Sequence, residues 1–140
     1  MNRTLAIIKP DAFAADKAGE IIAHLQKAGF KLLAAKVLHL SAVQARAFYE
    51  VHKERPFYNS LVEFMTSGPC MPLALERPDA VPFLRQTMGA TDPAKADAGT
   101  IRKLFAESIE RNAIHGSDSA ENAEKELAFF FSQVELAGAG

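Results

Sequence analysis

Apolar residues recur along the chain in two rhythms, and the element boundaries fall where one rhythm replaces the other. Leu5 to Ile8 is a short unbroken apolar run, as expected of a strand covered on both faces, and Lys9-Pro10-Asp11 closes it. From Ala18 to Ala28 the positions Ala18, Ile21, Ile22 and Leu25 predict a helix, with Gly29 placed to end it in a left-handed cap. Phe30 to Leu40 is apolar on both alternating faces and reads as a long inner strand. Ser41-Ala42-Val43-Gln44 has the spacing of a capping box, so a helix starts there and carries Phe48 and Tyr49. Arg55-Pro56 stops it, because the residue before proline resists helical geometry.

A second helix, Asn59 to Ser67, presents Leu61, Val62 and Met65 on one side and ends at Gly68-Pro69. Cys70 to Glu76 reads as a strand in spite of Pro72, which cannot donate to a ladder and belongs at an edge, near a strand start or at a bulge. Asp79 is placed to cap a helix running through Val81, Phe83 and Leu84 to Met88, with Pro82 tolerated in the first turn. Gly89 to Gly99 is an irregular stretch of a length that points to function or an interface, and a short helix from Thr100 to Ala106 follows. Ala113 and Ile114 suit a strand that stops at His115-Gly116, and Ser117 to Ser119 offer caps. Ala120, Ala123, Leu127, Phe130 and Phe131 then form the buried stripe of a last helix, and Ala137 to Gly140 looks like a loose tail. This order predicts an α+β chain: a ferredoxin-like βαββαβ antiparallel sheet in a single domain, its helices chiefly on one face.

Composition narrows the classes of partner. The 140 residues suffice for one self-sufficient core, and 16 basic against 17 acidic side chains leave a net charge of -1, so any anion site must be local. Nucleic acid is therefore not expected as the main ligand. The single cysteine, Cys70, excludes an intramolecular disulfide and fits a reducing compartment. No signal peptide or membrane span is visible, and a cytoplasmic setting is expected.

The chemistry gathers at element ends. Lys9, His52, Arg85, Thr91, Arg102, Asn112 and His115 all fall there or in loops, and all can donate hydrogen bonds to anionic oxygens, which a polyphosphate would supply. Phe57 offers an aromatic face for a base and Ile109 an aliphatic one. Glu126 points toward the buried stripe of its helix and needs a partner, which His115 or Ser117 could provide. Neither a Gly-x-x-x-x-Gly-Lys-Ser loop nor a Gly-x-Gly-x-x-Gly turn is present. His24 and His39 lack metal-ligand spacing.

Five motifs in order carry a resemblance: Ile8-Lys9-Pro10-Asp11, Arg55-Pro56-Phe57, Ser67-Gly68-Pro69, Gly99-Thr100-Ile101-Arg102, and Asn112 to Ser119. From end to end the chain resembles a nucleoside diphosphate kinase. The resemblance implies ping-pong transfer of a γ-phosphoryl group from a nucleoside triphosphate to a diphosphate through a phosphohistidine at His115. It implies that Glu126 and Ser117 orient the imidazole with Tyr49 close by, and that Lys9 and Asn112 contact the ribose and its nearby oxygens. His52, Arg85, Thr91 and Arg102 match phosphate contacts, while Phe57 stacks on the base opposite Ile109. Mg²⁺ is expected on the β- and γ-phosphates, with Asp118 at most a water-mediated ligand and no direct protein ligand. Pro72, Pro78, Pro82 and Ala12 depart from the family pattern, and none is a site residue. The resemblance also implies a homo-oligomer. A tail ending in small residues favours a tetramer, and the loop around Pro93 keeps a hexamer open. Two other readings remain: a nucleotide-binding regulatory protein without turnover, and, more weakly, a metallohydrolase using the histidines and Asp118.

Overall fold

The unbroken apolar run of the first strand organises the molecule. In a computed structural model that describes residues 2–137, β1 (Arg3–Ile8) lies inside a four-stranded antiparallel sheet ordered β2-β3-β1-β4. Its neighbours are β2 (Lys31–Ala35), β3 (Met71–Glu76) and β4 (Ile114–Gly116). Ala6 and Ile8 point to one face and Leu5 and Ile7 to the other, and all four are completely buried. A strand so covered reads as a continuous apolar run, which is why its sequence shows no alternation.

Helices cover both faces, and this corrects the expectation of a sheet covered chiefly on one. Against Ala6 and Ile8 pack α2 (Ala18–Lys27), α5 (Ala80–Met88) and α6 (Ile101–Phe105), through Ile21, Leu25, Leu84, Met88 and Ile101. The short α1 (Pro10–Ala14) adds Ala12 to that layer. Against Leu5 and Ile7 pack α3 (Ala42–Phe48), α4 (Tyr58–Met65) and α7 (Ala120–Phe130), through Ala45, Val62, Met65, Leu127 and Phe130. Full burial of each Leu, Ile or Met side chain contributes about 1.5–3 kcal/mol. Two such layers fix β1 from both sides.

The capping box at Ser41 forms as expected, Gln44 N–H donating to Ser41 Oγ at 3.1 Å and Ser41 N–H to Gln44 Oε1 at 2.9 Å. Gly29 follows the end of α2 with φ of +93°. Two other expectations do not hold. Phe30 to Leu40 is not a long inner strand: β2 spans five residues and lies at the sheet edge. Pro72 supplies the reason. Lys36 N–H donates to the Pro72 carbonyl at 3.3 Å, but proline has no N–H to return, so the ladder breaks one residue past Ala35 and resumes only as a single bridge between Leu38 and Cys70. Asp79 precedes α5 but does not cap it. Its backbone is left-handed, with φ of +53°, and its side chain makes no cap bond.

At the far end Phe131 leaves the helix and remains buried, and a short α8 (Gln133–Leu136) follows behind a capping box at Ser132. Lys36 ties this segment to β2, its Nζ donating to Phe130 C=O at 2.7 Å and pairing with Glu135 at 3.1 Å. Of the expected loose tail, Gly138 to Gly140 lie outside the described residues.

The turn after α5 links the fold to the site. Gly89 has φ of +90°, and a Cβ there would lie 2.5 Å from Oγ1 of Thr100, the residue that caps α6. The Gly89 carbonyl meanwhile accepts from Arg102 at 3.2 Å. Gly89→Ala is therefore expected to destabilise the protein by about 2 kcal/mol or more, from backbone strain and overpacking together. Urea unfolding measures it, and a change under about 0.5 kcal/mol would contradict the account.

Candidate active site

Pairing of Ile7 with His115 sets the histidine at the middle of β4, beside the fully buried strand. Gly116 follows because α5 crosses its backbone closely: a Cβ there would meet Met88 Sδ at 2.6 Å and Leu84 Cδ2 at 3.0 Å. That approach brings Arg85 to the Gly116 carbonyl at 3.2 Å. On the other side Ser119 caps α7, and the helix returns Glu126 over the strand end. One carboxylate oxygen, Oε1, lies 2.8 Å from His115 Nε2 and accepts from Ser117 Oγ at 2.8 Å. Ser117 is completely buried, whereas His115 and Glu126 are each about one-fifth exposed.

The donor arrangement fixes the imidazole. A carboxylate oxygen accepts, so Nε2 carries the hydrogen, and in the neutral ring Nδ1 keeps its lone pair. Phe48 and Tyr49 meet the same ring edge-on, with centroids 5.6 and 6.4 Å away. Burial pushes the Tyr49 hydroxyl well above the usual tyrosine range, and among the described residues its oxygen has no partner. From Tyr49 the aromatic series continues through His52, stacked at 6.5 Å, to Phe57 at 5.6 Å from His52.

Opposite this series lies a group of cations. Lys9 is 7% exposed and donates from Nζ to Asn112 Oδ1 at 2.9 Å. Burial, reinforced by Arg102, lowers its pKa from 10.5 to about 8, against the opposing pull of Asp11 and Glu110. Arg102 is 5% exposed and donates to the carbonyls of Ile114 (2.8 Å) and Gly89 (3.2 Å). Burial and the nearby Arg85 lower its pKa to about 10. Among the described residues none of Lys9, Arg85 and Arg102 forms a salt bridge with a carboxylate. Buried positive charge held on neutral acceptors is an arrangement that awaits an anion.

A cavity of about 690 Å³ joins the two sides. Its lining includes Lys9, Tyr49, His52, Phe57, Arg85, Thr91, Arg102, Ile109, Asn112, His115, Asp118 and Glu126. Of the residues marked out in the sequence only Ser117 stays off the wall, behind Glu126. Asp118 stands exposed at the rim, its carboxylate accepting from Asn122 Nδ2 at 2.6 Å, which lowers its pKa. No group of three or more His, Cys, Asp or Glu among the described residues could hold a metal ion.

A family model for nucleoside diphosphate kinase matches residues 2–136. The chain belongs to the nucleoside diphosphate kinase family. It is 57% identical over 136 residues to the nucleoside diphosphate kinase of Nitratiruptor sp., covering 97% of this chain and 99% of that one. The Halorhodospira halophila relative is 55% identical over 136 residues, covering 97% of this chain and 96% of that protein. Among solved structures, the Aquifex aeolicus enzyme superposes with a TM-score of 0.94 at 41% identity, covering 97% and 99% of the two chains. A halophilic member from Halobacterium salinarum, solved in complex with CDP, gives 0.92 at 36% identity over 98% and 92%. The four-stranded antiparallel sheet with its helices is the family's ferredoxin-like α+β fold.

Sequence reading missed several residues on the cavity wall: Phe48, Glu110, Asn122, Lys125 and Phe129. Asn122 and Phe129 were within reach of it, because they lie four residues before and three after Glu126 on α7 and share its face. Phe129 is 43% exposed and packs on Phe48 at 5.3 Å, so of the three consecutive phenylalanines it is the one that looks into the cavity mouth. Glu110 gave no signal. It accepts from Ser60 Oγ at 2.9 Å across the mouth, a contact that only folding creates.

Lys9 makes the site pH-sensitive. Because burial lowers its folded-state pKa, the penalty for its charge is present in full below about pH 8 and fades as pH rises toward the unfolded value of 10.5. An anionic oxygen brought beside it would favour the protonated form again. Nucleoside diphosphate affinity should fall as pH rises through about 8, and binding near pH 9, about one unit above that value, should take up a proton. Calorimetry in two buffers of different ionisation enthalpy reads this, and Lys9→Met should abolish the uptake.

Proposed function

We propose that this protein transfers the γ-phosphoryl group of a nucleoside triphosphate to a nucleoside diphosphate in two half-reactions, with His115 Nδ1 as the carrier. The observation that supports it best is the contact of His115 Nε2 with Glu126 Oε1 at 2.8 Å: a carboxylate accepts, which assigns the ring hydrogen to Nε2 and leaves Nδ1 as the nucleophilic nitrogen. In the first half-reaction Nδ1 bonds to the γ-phosphorus while the bond to the β,γ-bridging oxygen breaks, and the diphosphate leaves with that electron pair. In the second, a terminal oxygen of another diphosphate attacks phosphorus and the nitrogen departs as neutral imidazole. The proton stays on Nε2 throughout, and Glu126 stabilises the positive charge that the ring carries when phosphorylated.

The remaining assignments follow the cavity. Arg85, Arg102, Thr91 and His52 bind the phosphates, and Lys9 and Asn112 bind the ribose and its nearby oxygens. Phe57 and Ile109 hold the base between them, and stacking uses a π-face that every base has. Magnesium would enter with the nucleotide substrate and would neutralise charge on its phosphates, and Asp118 at the rim would be the residue to reach it, through water. The setting proposed is the cytoplasm, where a buried, reduced Cys70 is at home. No helix among the described residues is long and apolar enough to cross a membrane. Assembly into a homo-oligomer, a tetramer in preference to a hexamer, is proposed as well. Among the described residues the outer edge of β2 has no neighbouring strand, and Val37 beyond it is 55% exposed, features that a partner would cover.

His115→Ala should abolish labelling by γ-labelled ATP and steady-state transfer while nucleotide still binds. Glu126→Ala should be milder, lowering turnover about 10–100-fold, since it removes orientation and leaves the nucleophile. Wild-type binding without any acid-labile label would instead favour a nucleotide-binding regulatory protein. Light scattering coupled to size exclusion tests the assembly, a mass of four subunits being expected and one of six or one refuting the tetramer.

A further inference from the structure

Two residues before His115 the backbone does something costly. Ala113 has φ of +76°, and Ile114 N–H donates to Asn112 C=O at 2.9 Å around it, closing a γ-turn of the strained hand on a residue that carries a Cβ. The turn is completely buried. Its origin lies in the opposite strand. The β1–β4 register runs on past Ile8 and Ile114, so that Lys9 N–H donates to Ala113 C=O at 2.9 Å. The reciprocal bond is pre-empted, because the Lys9 carbonyl accepts Phe13 N–H at 3.0 Å as the first bond of α1. A buried amide without an acceptor is costly, and the Ala113 N–H turns to Asp11 Oδ2 at 3.1 Å. Asp11 sits in the first turn of that same helix, behind Pro10, and is 7% exposed.

We infer that Asp11 is a positioning residue for phosphoryl transfer: its carboxylate clamps the strained turn at Ala113, and through that turn sets the Asn112 side chain and the His115 backbone. Asn112 is tied into the same unit by Lys9 Nζ at 2.9 Å. The inference rests on the reading of His115 as nucleophile. Asp11 is not among the residues lining the cavity and acts only through its neighbours.

The test measures the single-turnover rate of His115 labelling at saturating γ-labelled ATP, per folded molecule, in wild type, Asp11→Ala, Ala113→Gly and the double variant. Asp11→Ala should slow labelling about 10–100-fold, as expected for a small misplacement of the reacting group. Glycine adopts φ of +76° without a clamp, so the double variant should regain about tenfold or more over Asp11→Ala. A merely structural role would not produce that recovery. An unchanged rate in folded Asp11→Ala overturns the proposal, and so does a slow double variant. If Asp11→Ala does not fold, Asp11→Asn decides: its Oδ1 still accepts the amide, so labelling within about threefold of wild type supports the clamp, and a tenfold or greater loss that Ala113→Gly leaves unrepaired overturns it. A wild type that takes no label on His115 would show instead that the nucleophile assignment itself is wrong.

Discussion

The pairing of β4 with the end of β1 is the contact on which the site depends, and it is short. β4 has three residues and lies at the sheet edge, so its own ladder holds it weakly. The molecule compensates with bonds from outside the ladder. Arg102 donates to the Ile114 carbonyl and Arg85 to the Gly116 carbonyl, while Ser117 N–H donates to Leu5 C=O. Two of these braces are cavity cations. The groups that hold the histidine strand in place are thus the same groups that present positive charge to the cavity, so anion binding and the placement of His115 are mechanically one problem.

Such an arrangement lowers stability in the free protein. Among the described residues Lys9 and Arg102 are nearly buried without a carboxylate at salt-bridge distance, and their depressed pKa values report that burial disfavours their charge. A carboxylate beside each would relieve the strain and would also compete with phosphate. Carbonyl and amide acceptors instead orient the cations without neutralising them, so the positive field is in place before the anion arrives and reorganises little during transfer. Glu126 is the opposite case. Its carboxylate is spent on two donors, which keeps its negative charge directed at the imidazole and away from the phosphates.

The sequence was legible where local rules and tertiary demands agree. The unbroken run Leu5 to Ile8, the capping box at Ser41, and the face shared by Ala123, Glu126 and Phe130 each follow from spacing alone, and the last already pointed Glu126 to a partner in His115 or Ser117. The same rules misled where a partner strand decided the outcome. Phe30 to Leu40 has every mark of a long strand, but its extent is set by Pro72 on the neighbouring strand, whose missing N–H breaks the ladder opposite Lys36. Asp79 has the chemistry of a cap, yet its left-handed backbone keeps the side chain from the role. Coverage of both sheet faces is implied by the unbroken apolar run of β1, whereas the simple element order points to one covered face. Glu110 and Ser60 lie fifty residues apart and meet only when the fold closes the cavity mouth.

The cavity is built unevenly, and the unevenness bears on selectivity. At the end near His115 the walls are buried and cross-braced: Lys9, Arg102, Asn112 and the neighbouring Ser117 are each at most 7% exposed. At the mouth the walls are loose, with Phe57 45% and Ile109 59% exposed. Discrimination of one base from another requires polar groups held so firmly that a mismatched partner leaves them unpaired. Such firmness exists here only where phosphate and sugar would lie. A half-exposed phenyl ring and an exposed isoleucine on the same wall would contribute contact area that every base can use equally. On the proposed placement of the nucleotide, the geometry that makes the reactive end exacting would leave the base end permissive, so broad acceptance of nucleotides is the proposed consequence of where this chain has placed its buried hydrogen bonds.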